Sequence, residues 1–194
     1  QWQPRYDSDV DNLVKDFYEP ALQCAIRYDR VSGYFSPAIL TLVSRGIEGL
    51  IRNQGKMRLI VGCTLDETEV EAIAAGEKLK QILAEKLASP LEPRTPHEAN
   101  ALELLSWLIA HGYLEIKLAV PCTPDYRPLA NQSIFHPKAG IIEDSNGDRL
   151  AFNGSNNETV QGWTGNWESF HVFTDWEGSS VHVDSEEKTF AELW

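Results

Sequence analysis

The sequence predicts an α/β fold, a mixed β-sheet flanked by helices, on three observations. Stretches with apolar residues every three or four positions alternate with short, nearly continuous apolar runs. Proline, glycine and capping residues punctuate the boundaries between them. At 194 residues with 42% hydrophobic and 24% charged content, the chain is long enough for one globular domain with a sizeable core, residues 1–194.

The elements follow in order. From Ser8 to about Ile26, Val10, Leu13, Val14, Phe17, Ala21, Leu22 and Ile26 recur at helical spacing behind the possible caps Ser8 and Asp9. Arg27 to Phe35 reads as a strand, and Ser36-Pro37 as the cap and first position of a second helix running to about Asn53. Gly55 ends that helix, and Met57 to Gly62 has the composition of a buried strand. Asp66 to about Ala88 reads as a long helix, and Ser89-Pro90 through Pro93 as a break. Thr95-Pro96-His97-Glu98 opens a fourth helix with a Thr cap and a Glu three residues on. It ends near Gly112, and Tyr113 to Val120 alternates as a strand should, followed by a proline-bearing loop from Pro121 to Ser133.

Composition narrows the setting. Apolar stretches are interrupted by charge well short of the roughly 20 residues that span a bilayer, and the N-terminus lacks a basic-then-apolar signal, so a soluble cytoplasmic protein without a membrane partner is expected. Cys24, Cys63 and Cys122 are odd in number, far apart and without CxxC spacing, which fits buried thiols in a reducing compartment. A net charge of −12 argues against a nonspecific nucleic-acid coat, so any phosphate site must be local and concave. The start on Gln1 and the helical pattern from Thr189 to Trp194, which stops without a cap, suggest a piece of a longer protein.

The informative segment runs from Phe135 to Asn157. Two apolar runs flank Asn146-Gly147, the strongest short hairpin signal. A two-residue turn there would set Lys138 opposite Ser155 and His136 opposite Asn157, gathering four polar side chains on one face. A three-residue loop would slip the pairing by one and separate them. Pro137 lacks an N–H, so the strand is irregular or at an edge near the histidine.

Such a patch has a chemistry available to it. An imidazole, with an unperturbed pKa near 6.5, can attack phosphorus, while an ammonium and amide donors hold charge developing on the phosphoryl oxygens. No HExxH or other convincing metal cluster occurs, and no cofactor is expected.

His136-x-Lys138 followed by Gly154-Ser155-x-Asn157 resembles the HxK and GSxN signature of the phospholipase D superfamily. The resemblance implies a phospholipase D-like domain with His136 as nucleophile, Lys138 and Asn157 as phosphoryl-binding catalytic groups and Ser155 contacting substrate. It also assigns to Glu168, eleven residues beyond Asn157, the role of a carboxylate that orients the histidine. The full signature has Asp five residues after the lysine; here Glu143 stands there, with Asp144 next, and both are left out of the catalytic set. Arg30 to Ser36 is similar to the strand of phospholipase D-like domains attached to restriction enzymes and superfamily-two helicases. Trp163 and Trp167 read as packing residues.

Members of the superfamily bring two motifs together, one histidine attacking and the other protonating the leaving oxygen. This chain has one, since His97, His111, His171 and His182 lack the accompanying residues. The resemblance therefore implies a homodimer sharing one site, or a second motif in a missing segment. It implies a DNA-directed, metal-independent phosphodiesterase, the nuclease domain of a restriction or helicase-type protein. The absence of a Walker loop places any motor outside this chain. The alternative is a module of the same fold that dimerises or positions nucleic acid without cleaving it. Phospholipid hydrolysis fits less well, because no apolar membrane-facing helix or basic patch is evident.

Overall fold

In a computed structural model, which describes residues 2–63, 65, 70, 95–130 and 134–194, the apolar runs assemble into one seven-stranded sheet. The strands are β1 (Arg5–Asp7), β2 (Ala25–Ser32), β3 (Lys56–Gly62), β4 (Leu114–Ala119), β5 (Ala139–Asp144), β6 (Arg149–Gly154) and β7 (Ser169–Thr174). Their order is β1-β7-β6-β5-β2-β3-β4. β2, β3 and β4 run parallel, with Arg30 beside Leu59 and Leu59 beside Ile116. β5, β6, β7 and β1 join antiparallel, through Asp29 and Ile141, Ile141 and Ala151, Phe152 and Val172, and Tyr6 and Phe170. The mixed sheet matches the sequence expectation.

Alternation along the strands gives the sheet two different faces. Tyr28, Ile142, Leu150, Phe152, Phe170 and Val172 point to one face and form the main core with Phe17, Tyr18, Leu22, Ile47 and Leu108. Val31, Ile60, Ile141 and Ala151 point to the other, where Val183 and Phe190 cover them. The covering helices among the described residues are α1 (Glu19–Cys24), α2 (Ala38–Leu42), α3 (Ser44–Arg52), α4 (Pro96–Ala110) and, on the second face, α5 (Ser180–Leu193).

The first predicted helix is shorter and broken. Asn12, not Ser8 or Asp9, caps it, accepting the Lys15 N–H at 3.0 Å. A wide π-type turn over Leu13–Tyr18 precedes α1, where Pro20 has no N–H to continue a regular ladder. Val10 is left exposed, and the chain turns into β2 at Ala25 rather than beyond Ile26. The second helix is interrupted at Val43, whose φ of −108° and ψ of 29° depart from helical values while its side chain stays in the core. The Thr95 cap holds as predicted, accepting the Glu98 N–H at 3.2 Å. The helix expected from Asp66 to Ala88 and the break to Pro93 fall, apart from Val70, outside the described residues.

Two further expectations are corrected. Cys24 and Cys122 are exposed and Cys63 is half-buried, so none of the three serves as a fully buried hydrophobe. Trp163 does pack, stacking on Tyr18 with centroids 3.5 Å apart, but Trp167 is exposed. Among the described residues no helix is long and apolar enough to cross a membrane.

Helix α5 is fastened by charge as well as by its apolar stripe. Glu187 accepts from both Arg27 of β2 and Arg149 of β6, and Arg149 also bonds Asp175 at 2.9 Å. Burial of Glu187 opposes its ionisation, but the two guanidinium partners outweigh it and hold its carboxyl below the usual range. A group depressed in this way contributes stability above its unfolded pKa and loses it as pH falls through the folded value. Glu187→Gln is therefore expected to lower unfolding stability at pH 7 by about 1 kcal/mol, with the gap to the parent closing as pH falls below about 4. Urea titrations at pH 7 and pH 3 measure both values.

Candidate active site

The strand ends bring the motif residues together at one edge of the sheet. β2 runs antiparallel to β5, so its carboxyl end at Ser32 lies beside the segment that carries His136 and Lys138 into β5. β6 ends at Gly154 beside the start of β7, which places Ser155, Asn157 and Glu168 at the same edge. This is the carboxyl end of the parallel strands, where open α/β sheets leave room for ligands.

The hairpin itself differs from the two-residue turn expectation. Glu143 pairs with Arg149, and the Asp144 N–H donates to the Asp148 carbonyl at 3.1 Å, which leaves a three-residue loop of Ser145, Asn146 and Gly147. Gly147 adopts φ +86°, the left-handed conformation such a loop requires, and the Asp144 carboxylate accepts the N–H groups of Asn146 and Asp148. The pairing slips by one, so Lys138 lies opposite Gly154, whose N–H donates to its carbonyl at 3.2 Å. Cross-strand pairing therefore does not join His136 to Asn157.

A different device joins them. Residue 33 is glycine where a Cβ would come 3.1 Å from Asn157 Oδ1, 3.2 Å from His136 Cδ2 and 3.3 Å from the Phe135 carbonyl oxygen. The histidine and the asparagine thus converge over a bare stretch of backbone just past β2. Asn157 Oδ1 accepts the Tyr34 N–H at 3.2 Å, which fixes the amide so that Nδ2 is its unengaged donor among the described residues. The exposed His136 ring has no hydrogen-bond partner among them either. Lys138 is buried, and its ammonium donates to the His136 carbonyl at 2.7 Å.

Among the described residues Glu168 makes no hydrogen bond to His136. Its carboxylate accepts from the Ser155 hydroxyl and, at 3.0 Å, from Asn166 Nδ2, while its N–H donates to Ser8 Oγ at 2.8 Å. The sheet explains this, because Ser155 and Ser169 are bonded across the start of β7, with the Ser155 N–H donating to the Ser169 carbonyl at 3.0 Å. That pairing directs Glu168 to Ser155. Ser155 is exposed, but its hydroxyl is taken up by Glu168 and by the Ser169 N–H at 3.1 Å.

Beneath these residues lies a buried polar layer that motif reading missed. Arg30, 1% exposed, donates from Nε to Glu158 at 2.8 Å and from Nη2 to the Asn156 carbonyl at 2.6 Å. Glu158, 3% exposed, also accepts from the Tyr28 hydroxyl at 3.0 Å, and its N–H donates to Ser32 Oγ at 2.8 Å. Asn156 Nδ2 donates to the Tyr18 hydroxyl. The available signal was the charge within β2, where Arg27, Asp29 and Arg30 alternate with Tyr28 and Val31 and a buried arginine demands a buried anion. Burial pushes the Glu158 carboxyl up despite the opposing pull of Arg30. Burial likewise pulls the Lys138 ammonium down, helped by the like charge of Arg30 and opposed by Glu168.

The remaining polar residues stand apart. Glu143 is bonded to Arg27 at 2.8 Å on the α5 face, so it is structural. His111 stacks on Trp107 and His182 on Phe173, both exposed, and His171 is exposed on β7. The side chain of His97 lies outside the described residues. Among the described residues no three His, Cys, Asp or Glu side chains are grouped to hold a metal ion.

No protein-family profile matches the sequence, and no curated protein does. Solved structures share its architecture. NucT from Helicobacter pylori matches with a TM-score of 0.56 at 11% identity, over 97% of this chain and 92% of that one. Phosphatidylserine synthase from Haemophilus influenzae matches with a TM-score of 0.51 at 16% identity, over 96% of this chain and 37% of that one, so the chain spans little over a third of the synthase. Nuc from Salmonella typhimurium, a phospholipase D family member, matches 91% of this chain and 84% of that one at 14% identity and a TM-score of 0.44. The seven-stranded mixed sheet, covered by helices on both faces, has a phospholipase D-like fold.

Proposed function

We propose that the chain is a metal-independent phosphodiesterase acting on DNA through a phosphohistidine, a nuclease domain within a larger restriction or helicase-type protein. The observation that carries the reading is the meeting of His136 and Asn157 over Gly33, with the Lys138 ammonium beneath. The neutral imidazole of His136 attacks phosphorus, forming a P–N bond as the P–O bond to the leaving oxygen breaks. The Lys138 ammonium and Asn157 Nδ2 are donors for the charge developing on the phosphoryl oxygens. Ser155 and Glu168 act as a bonded pair that shapes the rim.

The leaving oxygen needs a proton, and this chain has no second motif to supply it. We assign that role to the same histidine of a second copy, in a homodimer whose two-fold axis passes through the site. That histidine then removes a proton from water, which attacks the phosphohistidine and releases the phosphate as the P–N bond breaks. Two copies would also set two lysines and two asparagine amides in one cleft of an otherwise acidic protein.

A second reading, a dimerising or nucleic-acid-positioning module, is favoured by one observation. Glu168 is bonded to Ser155 and Asn166 rather than to His136, so the imidazole has no orienting carboxylate among the described residues.

Cleavage of labelled DNA in excess chelator tests the choice, with solution mass measured alongside. The expected outcome is a dimer whose activity survives chelation and falls at least a thousandfold in His136→Ala, about 4 kcal/mol of barrier. An inert dimer that still binds DNA supports the positioning module, and activity that requires a divalent ion contradicts the phosphohistidine. The pH profile is expected to be bell-shaped, because one histidine must start neutral and the other protonated. Gly33→Ala is expected to cut the rate about a hundredfold while leaving the thermal midpoint within a few degrees, since the added methyl displaces the exposed His136 ring and Asn157 rather than core packing.

A further inference from the structure

One aromatic side chain is held out in solvent beside the proposed nucleophile, and a second on the loop before β7. Tyr34 is 54% exposed, and its ring centroid lies 6.4 Å from that of His136 with the planes at 79°. Its backbone is fixed, since the Tyr34 N–H donates to Asn157 and its carbonyl accepts the Ser32 hydroxyl at 2.7 Å. Trp167 is 81% exposed, on the loop just before β7. That loop is also anchored on both sides of the ring. Ser8 Oγ donates to the Asn166 carbonyl at 2.9 Å and accepts the Glu168 N–H at 2.8 Å, and the Asn166 N–H donates to Gln161 at 2.7 Å. The exposure of both rings is therefore built in by the backbone around them.

Single exposed rings are ordinary on a protein surface, but a ring 6.4 Å from an exposed imidazole lies where an occupant of the site would sit. The neighbouring groups identify one: an exposed imidazole, a buried lysine and an amide donor, a set suited to a phosphate. A ring one side chain away from the nucleophile is within reach of the nucleoside attached to that phosphate. The net charge of −12 also limits how many backbone phosphates the surface can grip, so affinity must come from contacts that are not electrostatic. Base stacking on aromatic rings supplies such affinity, and only unpaired bases expose their faces for it.

We infer that Tyr34 and Trp167 are stacking platforms for the bases that flank the scissile phosphate, and that the substrate is single-stranded or locally unpaired nucleic acid. The inference rests on the phosphodiesterase reading for its chemistry but is separable from it in binding. Tyr34 contacts the nucleoside next to the reacting phosphorus and sets specificity there. Trp167 extends the same track along the rim.

Steady-state cleavage of a single-stranded DNA, of the same strand with abasic residues on both sides of the scissile bond, and of a blunt duplex tests this. Anisotropy of the same three ligands on His136→Ala provides binding without turnover. The parent is expected to bind the natural single strand at least tenfold more tightly than the abasic strand or the duplex. Tyr34→Ala is expected to raise KM about tenfold on the natural strand and to leave KM on the abasic strand unchanged, while Tyr34→Phe retains parental KM. Trp167→Ala, at a position with no packing to lose, is expected to weaken natural-strand binding in the His136→Ala background by a similar factor.

Equal losses on natural and abasic strands, or equal binding of duplex and single strand, overturn the inference. Capture of the parent but not of Trp167→Ala by anionic phosphatidylglycerol vesicles, without preference among the DNA ligands, also overturns it. If the parent cleaves none of the three DNAs, the phosphodiesterase reading fails, and the anisotropy series still decides the stacking.

Discussion

The ion pair between Arg30 and Glu158 joins two parts of the chain that are 128 residues apart, and the site exists where they join. Arg30 sits in the middle of β2 and Glu158 just past the Gly154–Asn157 segment. Neither is exposed enough to be hydrated, so each depends on the other and on Tyr28, Ser32 and the Asn156 carbonyl for its polar contacts. Phe152 lies under the guanidinium, 5.0 Å from centroid to Cζ, and closes the layer from the core side. Because Glu158 is fixed to β2, Asn157 is fixed against Gly33 and Tyr34, and His136 has a defined neighbour. The Ser36 N–H donating to the Glu158 carbonyl at 2.9 Å continues the same seam into the loop after β2.

The two faces of the sheet divide the work. One face carries the aromatic core, in which Phe17 touches Tyr6, Tyr18, Phe152 and Phe170, and the buried polar layer grows out of that core toward the strand ends. The other face carries α5, a lattice of carboxylates and guanidiniums around Arg27 and Arg149, and no motif residue. The acidic balance of the chain is consistent with this division, since these carboxylates are spent on structural arginines away from the candidate site. Lys138 is the cation set beside the nucleophile, and its burial among Arg30 and Glu168 gives it a fixed position that a surface lysine would lack.

Much of the architecture was legible in the sequence. The parallel strands showed as apolar runs, the Thr95 cap as a Thr-Pro-x-Glu start, and the motif residues as a pattern no ordinary hairpin needs. What was not legible came from tertiary contacts. Asn146-Gly147 signals a hairpin, but whether Gly147 ends a two-residue or a three-residue loop depends on Asp144 capping it, and that one-residue difference moves every cross-strand pair. The resemblance assigns Glu168 to His136, whereas its bond to Ser155, set by the pairing of Ser155 with Ser169, could not be read from the sequence. Trp167 gave the same composition signal as Trp163, yet one fills the core and the other faces solvent, because Ser8 holds the loop from a position 159 residues earlier. Gly33 became informative only when its neighbours were known.

A double-mutant cycle on Arg30→Met and Glu158→Gln, read as unfolding free energy by urea titration, tests the central claim most directly, namely that this pair ties the two halves of the site together. Each single substitution is expected to cost about 3–5 kcal/mol, because it strands the opposite charge in the interior. The double variant is expected to cost less than the sum by at least about 2 kcal/mol. Costs that simply add would mean that the two residues do not depend on each other, and would contradict the account of how His136 and Asn157 are brought together.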